Sequence, residues 1–151
     1  MNLDWGNTAK HRNRLRQQQE GDAVYLVAWY DALPVGHVML VWDGASERLP
    51  ASKVQDCAHI EDLLVIPRLR STGIGSRLLK HAGTSARDRN FARIGLGVSR
   101  DTPRARLLYE RLGYQDSGIG EYTSTWEYTD QDGRKQRAEE TCTYLIKRLF
   151  S

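Results

Sequence analysis

The sequence predicts an α/β (α+β) domain: a mixed, mostly antiparallel sheet with one parallel strand pair, and helices packed against it. Three observations lead there. Residues 23–42 carry two β-rich runs in hairpin order. A buried-strand run, a Gly-rich turn, an amphipathic helix and a second strand run then follow in sequence over residues 54–99. Such a helical crossover sets two strands parallel. Finally, two strand runs at 122–129 and 139–149 flank Asp132-Gly133, a strong hairpin signal.

Size and composition narrow the field. A chain of 151 residues suits one hydrophobic core, so 1–151 reads as a single domain. The net charge is +3 and the basic residues are scattered. A nucleic-acid partner calls for a concentrated basic face, so none is expected. No apolar run reaches membrane-spanning length, and the first ten residues lack the apolar core of a secretory signal. Cys57 and Cys142 stand in no metal-ligand spacing. The expectation is a cytoplasmic chain with two buried thiols, no metal and no membrane partner.

In chain order, Asn7 to Gln19 is polar and Arg-rich, a helix that Asn7 or Thr8 could cap. Ala23 to Tyr30 reads as a strand, Asp31 to Pro34 as a turn, and Val35 to Trp42 as the returning strand, with Gly36 marking a bulge. Asp43 to Ser52 has loop composition. Val54 to Ile66 is the central strand, ended by Pro67, which cannot donate to a ladder. Simple alternation puts His59, Glu61, Leu63 and Val65 on one face, and Ile60, Asp62, Leu64 and Ile66 on the other. Ile74, Leu78, Leu79 and Ala82 have the spacing of one helix face, and Asn90 can stop that helix. Phe91 to Ser99 is the parallel strand. Its Gly95 and Gly97 either make room for a ligand or weaken the strand. Asp101 or Thr102 caps the next helix, with Pro103 in its first turn and Gly113 past its end; Tyr114 starts another strand. Gly118 to Gly120 turns, and Tyr122 to Thr129 and Glu139 to Leu149 form the last hairpin.

The chemistry gathers at the joint between the central strand and its helix, V-I-P-R-L-R-S-T-G-I-G over 65–75. Glycines there permit positive φ or close ligand approach. The first amides of the helix have no intrahelical partner, and the helix dipole adds positive charge. Strand, Gly-rich turn and helix together make a pyrophosphate-sized anion site. About thirty residues on, Thr102 to Tyr114 reads T-P-R-A-R-L-L-Y-E-R-L-G-Y.

The R-x-x-G-x-G run at 70–75 resembles the acetyl-CoA motif of the GCN5-related N-acetyltransferases (GNAT), and the second block resembles that family's N-x-x-A-x-x-L-Y-E-x-x-G-F. The resemblance covers roughly residues 54–115. It implies a GNAT-like sheet whose parallel pair splays apart near its ends, helices on both faces, and acetyl-CoA as cosubstrate. The implied contacts are Arg70, Ser71, Thr72, Gly73, Ile74, Gly75 and Ser76 on the pyrophosphate. The backbone of Leu64 and Val65 would pair with the acyl-pantetheine arm, and Thr102 stands where the family often has an Asn touching pantetheine. Ser71-Thr72 replaces the family's frequent Gly-Lys, which removes a basic contact. Tyr109 matches the family's tyrosine near the sulfur. A phenol is protonated at neutral pH and can donate to a departing thiolate. Glu61 is the general-base candidate facing the acceptor amine, and His59, two residues earlier on the same face, is the second. The family usually has a strand before the early helix, so the N-terminal end looks shortened here.

The implied reaction is direct acetyl transfer to a primary amine of a small molecule or peptide. Two alternatives stay open: a longer acyl-CoA as donor, with pocket depth near Leu63, Val65 and Gly95 deciding, or a non-catalytic acyl-CoA-binding sensor. Acceptor walls could come from the early helix, the 31–34 and 43–53 loops and the last hairpin. There Tyr122, Trp126, Glu127, Tyr128, Glu139 and Glu140 would suit a cationic amine. They would equally suit a plain hairpin or the seam of a homodimer.

Overall fold

The computed structural model describes residues 18–150 together with Arg12, Leu15 and Arg16. The helix expected over 7–19 falls mostly outside the described residues. Gln18 and Gln19 are helical, and the Gln18 side-chain oxygen accepts a hydrogen bond from the Tyr25 amide at 2.7 Å.

Strands β1 (Ala23–Tyr30) and β2 (Leu33–Val41) form an antiparallel hairpin. Its turn is tighter than expected. Asp31 and Ala32 alone make it, both at positive φ (50° and 63°), so Leu33 and Pro34 already pair. Positive φ at both central residues matches the twist of the flanking strands. Val35 is the bulged residue, next to the expected Gly36. The segment read as a loop contains a short helix, α1 (Arg48–Lys53). Pro50 fits because the first helical turn has no acceptor for its missing N–H.

The central strand β3 (Cys57–Val65) starts later than expected, after Asp56 at φ 52°. It pairs antiparallel with β2 and parallel with β4 (Arg93–Ser99). Helix α2 (Ile74–Asp88) makes the crossover and ends before Asn90, which takes a left-handed φ of 64°. Helix α3 (Pro103–Arg111) follows β4, and Gly113 (φ 99°) ends it. The strand expected from Tyr114 is a two-residue β5 (Gln115–Asp116). The last hairpin pairs β6 (Tyr122–Thr129) with β7 (Lys135–Arg148), which begins four residues earlier than the sequence suggested because Lys135 already pairs with Thr129. Among the described residues the sheet runs β1-β2-β3-β4-β7-β5, with β6 on β7. The mixed sheet with one parallel pair is the expected fold class.

One face of the sheet is the main core. Val38, Leu40, Ala58, Ile60, Ile94, Leu96 and Leu145 pack there with Leu78, Leu79, Ala82 and Ala86 of α2, and Leu108 and Leu112 of α3 join them. The opposite face is more polar. It carries a small cluster of Ala23, Tyr25 and Met39, with the buried His37, His59 and Tyr144. Helix α1 lies on this second side, sharing a pocket with Tyr122.

The expected alternation along β3 fails in the middle. His37 pairs with Leu64 and Met39 with Glu61, so Val38 alone faces both Asp62 and Leu63. This is a β-bulge, with Asp62 at φ 59°, a conformation that Asp tolerates better than most residues. The inserted residue shifts the phase by one. Leu63 and Val65 therefore pack on the main core with Ile60, not beside His59 and Glu61. Asp62 lies on the polar face instead, its carboxylate 3.8 Å from Nδ1 of His37.

Candidate active site

The parallel pair is joined only at its start. Cys57 to Ile60 pair with Arg93 to Leu96, and the ladder then stops although both strands continue. From Glu61 to Val65, β3 keeps β2 on one side and has no strand on the other. This open wedge is the splay that the resemblance implied. Because the strands are parallel, their carboxyl ends share one edge of the sheet. The Gly-rich turn leaves β3 there and Thr102 leaves β4 there, the usual place for a ligand crevice.

The turn begins with a short 3₁₀ segment, Pro67–Leu69. Ser71 (φ 66°) and Gly73 (φ 92°) both take left-handed backbone. Thr72 Oγ1 donates to the Leu69 carbonyl, which folds the turn onto itself. Gly73 is the N-cap of α2 and caps it with no side chain. The Arg77 amide is bonded to the Gly73 carbonyl at 3.1 Å, so the amides before it start the helix without an intrahelical acceptor. Gly75 needs no glycine for packing, since a Cβ there would meet only Val65 Cγ2, at 3.8 Å. Unused amides, a bare N-cap and open space above two glycines fit a diphosphate. Arg70 is exposed beside this turn, and its Nε donates to the Val65 carbonyl at 3.1 Å. That bond ties the turn to the end of β3, and it also occupies one of the two backbone positions expected to hold the pantetheine arm. Ile74 is half-buried against the core and Ser76 half-buried in the first turn.

Thr102 occupies the N-cap of α3, but its hydroxyl donates backwards to the Ser99 carbonyl at 3.0 Å and does not cap the helix. Two turns on, Tyr109 is half-buried, edge-on to Tyr114 with ring centroids 6.2 Å apart. Burial pushes its phenol pKa up, so it is a proton donor at neutral pH.

Glu61 is the first residue of β3 past the end of the parallel ladder, with about a third of its side chain exposed. His59, two residues earlier, is buried. Its Nε2 is 3.6 Å from Glu61 Oε2, and its Nδ1 is 2.9 Å from the Tyr144 hydroxyl. Burial lowers the imidazole pKa to about 4, so the ring is neutral at pH 7. An enclosed imidazole with so low a pKa is a weak base, and the partly exposed Glu61 carboxylate is the better placed of the two candidates. The structure thus brings His59 and Glu61 together and gives them different environments.

Sequence reasoning missed Tyr144 and misread the glycines opposite it. A Cβ at Gly95 would lie 2.5 Å from the Tyr144 ring, and one at Gly97 would overlap the Tyr122 hydroxyl. The glycines make room for tyrosines, not for a ligand. Alternate glycines in an otherwise apolar strand were the available signal. Cys57, its pKa raised to about 11 by burial, is a protonated thiol, as expected. On the last hairpin, Trp126 and Tyr128 are exposed, while Tyr122 sits over Gly97. A cavity of about 450 Å³ between β1 and α2 shares only Ile74 with the predicted site and lies apart from this chemistry. No cluster of three or more His, Cys, Asp or Glu suited to a metal exists among the described residues, and no described helix is long and apolar enough to cross a membrane.

The model of the acetyltransferase (GNAT) family matches residues 2–114. The chain belongs to that family. A thialysine N-epsilon-acetyltransferase from Bos taurus is 38% identical over 58 residues, which is 38% of this chain and 34% of that protein. The match thus spans about a third of the relative's length. Among solved structures, an N-acetyltransferase from Staphylococcus aureus Mu50 superposes with a TM-score of 0.67 at 16% identity, covering 96% of this chain and 79% of the other. The PaiA N-acetyltransferase of Thermoplasma acidophilum, in complex with coenzyme A, gives 0.63 at 16% identity, covering 93% and 70%. At these identities the superpositions establish a shared GNAT fold.

Proposed function

We propose that this GNAT protein is an acetyl-CoA-dependent N-acetyltransferase that moves the acetyl group directly to a primary amine of a small molecule or peptide, in the cytoplasm. The observation that carries the reading is the placement of Glu61 at the first position where β3 loses β4 as a neighbour. The coenzyme A held by the Thermoplasma structure and the amine named for the Bos taurus relative support the choice of donor and acceptor.

In this reading the free amides at the start of α2 and the Arg70 guanidinium hold the diphosphate, and the open edge of β3 aligns the pantetheine arm as an added strand would. Acetyl-CoA supplies a thioester whose C–S bond breaks as the C–N bond forms. Glu61 accepts the proton that the amine loses, directly or through one water. Tyr109 donates its proton to the departing sulfur, so that amide and thiol are the net products. The apolar side chains of Leu63 and Val65 border the wedge on the core side and keep water from the thioester.

Calorimetric titration with acetyl-CoA, followed by thiol release against a panel of primary amines, tests the proposal. Binding with amine-dependent thiol release is the expected result; absence of binding overturns it. Glu61→Gln and Tyr109→Phe should each lower kcat by about 100-fold, the usual worth of a general base or acid, with acetyl-CoA affinity retained. Equal losses in affinity and turnover would remove those residues from the chemistry.

A further inference from the structure

We propose that Tyr144 is a positioning residue: its hydroxyl donates to Nδ1 of His59, keeping the imidazole proton on Nε2, where it faces the Glu61 carboxylate. Three geometric facts carry this. The Tyr144 oxygen is 2.9 Å from Nδ1, and the two rings lie nearly parallel, at 13° with centroids 5.8 Å apart. Tyr144 is 1% exposed and His59 9%, so neither polar atom can turn to solvent for a substitute partner. The ring is also confined, because it fills the space left by the absent side chain of Gly95.

A protonated phenol can donate or accept, so the direction of the hydrogen bond follows from the carboxylate: Glu61 Oε2, beside Nε2, draws the single imidazole N–H to that nitrogen and leaves Nδ1 to accept. Burial raises the phenol pKa of Tyr144, so it keeps its proton, and burial keeps His59 neutral, with one N–H to share between two nitrogens. With Nδ1 accepting, that N–H must be on Nε2. Nε2 lies 3.6 Å from Glu61 Oε2, just beyond direct hydrogen-bond length, a gap that catalytic contacts often show before substrate is bound. An N–H aimed at a carboxylate favours its charged, proton-accepting form. The opposite tautomer would aim a lone pair at it.

Other groups around the pair leave this arrangement intact. Cys57, on β3, also hydrogen-bonds the Tyr144 hydroxyl; its protonated thiol donates to the Ala58 carbonyl, and sulfur is a weaker acceptor than an imidazole nitrogen, so the phenol proton goes to Nδ1, while Arg93 acts on the thiol from β4. Tyr122 of β6 stands 6.4 Å from the Tyr144 ring, with Glu47 and Glu140 beyond it and its own phenol raised by burial. Strand β2 presents Val41 and Met39 opposite His59 and Glu61, with His37 further along the same face, 3.8 Å from the Asp62 carboxylate that follows Glu61.

The lock is a property of the fold, and its effect on rate rests on Glu61 being the base. Nitrogen-15 NMR of the histidine-labelled chain, with His59→Gln for assignment, tests the lock without any turnover. At pH 7, Nδ1 should resonate as an unprotonated nitrogen and Nε2 as a protonated one. In Tyr144→Phe, which keeps the ring, the two resonances should move toward each other as both tautomers populate. An Nδ1-protonated ring in the parent chain, or a Tyr144→Phe spectrum like the parent's, overturns the lock. If Tyr144→Phe does not fold, the parent spectrum alone decides. In kinetics, the acid limb of kcat/KM should move to higher pH by about one unit in Tyr144→Phe, the shift expected from losing one hydrogen bond, with the alkaline plateau nearly unchanged. An unmoved limb overturns the positioning role even where the lock is seen. A parent chain without amine-dependent turnover refutes the proposed function, while the NMR spectra still decide whether the lock exists.

Discussion

The two halves of β3 differ in their neighbours, and the site follows from that difference. His59 and Ile60 are held on both sides, by β2 and by β4, Cys57 and Ala58 by β4 alone, and all four are buried. Glu61 to Val65 keeps β2 alone and is half-buried throughout. The first half behaves as ordinary core strand, with apolar side chains toward α2 and a histidine enclosed behind. In the second half, backbone groups and a carboxylate meet an open edge. The bulge at Asp62 lies just past the junction. One inserted residue keeps Leu63 and Val65 on the core while bringing Asp62 onto the same face as His37. A strand can thus change from enclosed to open-edged along its length, through a single residue in left-handed backbone and the end of one ladder.

Removing the bulge is the strongest way to break that contrast. Asp62→Val does so without shortening the strand: a β-branched residue resists the left-handed backbone at φ 59°, and plain alternation with all residues retained would turn Leu63 and Val65 away from the core. The cost in chemical denaturation should be about 2–3 kcal/mol, as backbone strain or as lost burial. Acetyl-CoA binding should be weakened in titration, and a variant with unchanged midpoint and binding would show that the bulge does not shape the wedge.

The enclosed half can be probed through pH. Burial lowers the His59 pKa from 6.5 to about 4 in the folded chain. As pH falls from 6.5 toward 4, the unfolded chain takes up a proton that the folded one refuses, so stability declines across that window. The loss from this group alone reaches roughly 3 kcal/mol near pH 4, and it is absent above pH 7. His59→Gln should flatten this part of the stability–pH curve measured by urea denaturation; an unchanged slope would mean that the ring is not enclosed as described. A smaller effect is expected at Gly95, which pairs opposite His59 on the doubly held side. Gly95→Ala would push a methyl into the Tyr144 ring and cost roughly 1–3 kcal/mol by overpacking, read as a lower denaturation midpoint. Tolerance of alanine there would sharpen the comparison differently, by showing that Tyr144 can move.

Much of this was legible in the chain. The hairpin at 23–41, the helix from Ile74, the Gly-rich turn and the parallel crossover all have local causes: β-branched and aromatic runs, 3.6-residue spacing, and glycines where positive φ is needed. The loop reading of 48–53 failed because a short helix with one buried proline has no periodicity to display. The assignment of faces along β3 failed at Asp62 because a bulge is a relation between two strands, and nothing local in D-L-L announces it. Gly95 and Gly97 had the right spacing to signal something bulky opposite, but not its identity.

The sequence by itself determined the family, the order of elements and the turn that suits a diphosphate, since each depends on residues close together in the chain. Only the tertiary structure decided where the parallel ladder ends, which face Asp62 and Leu63 take, and that Tyr144, 85 residues away, stands against His59. Those outcomes depend on register and on the burial of groups distant in sequence. Whether an imidazole is neutral, and where its proton sits, is set by what packs around it.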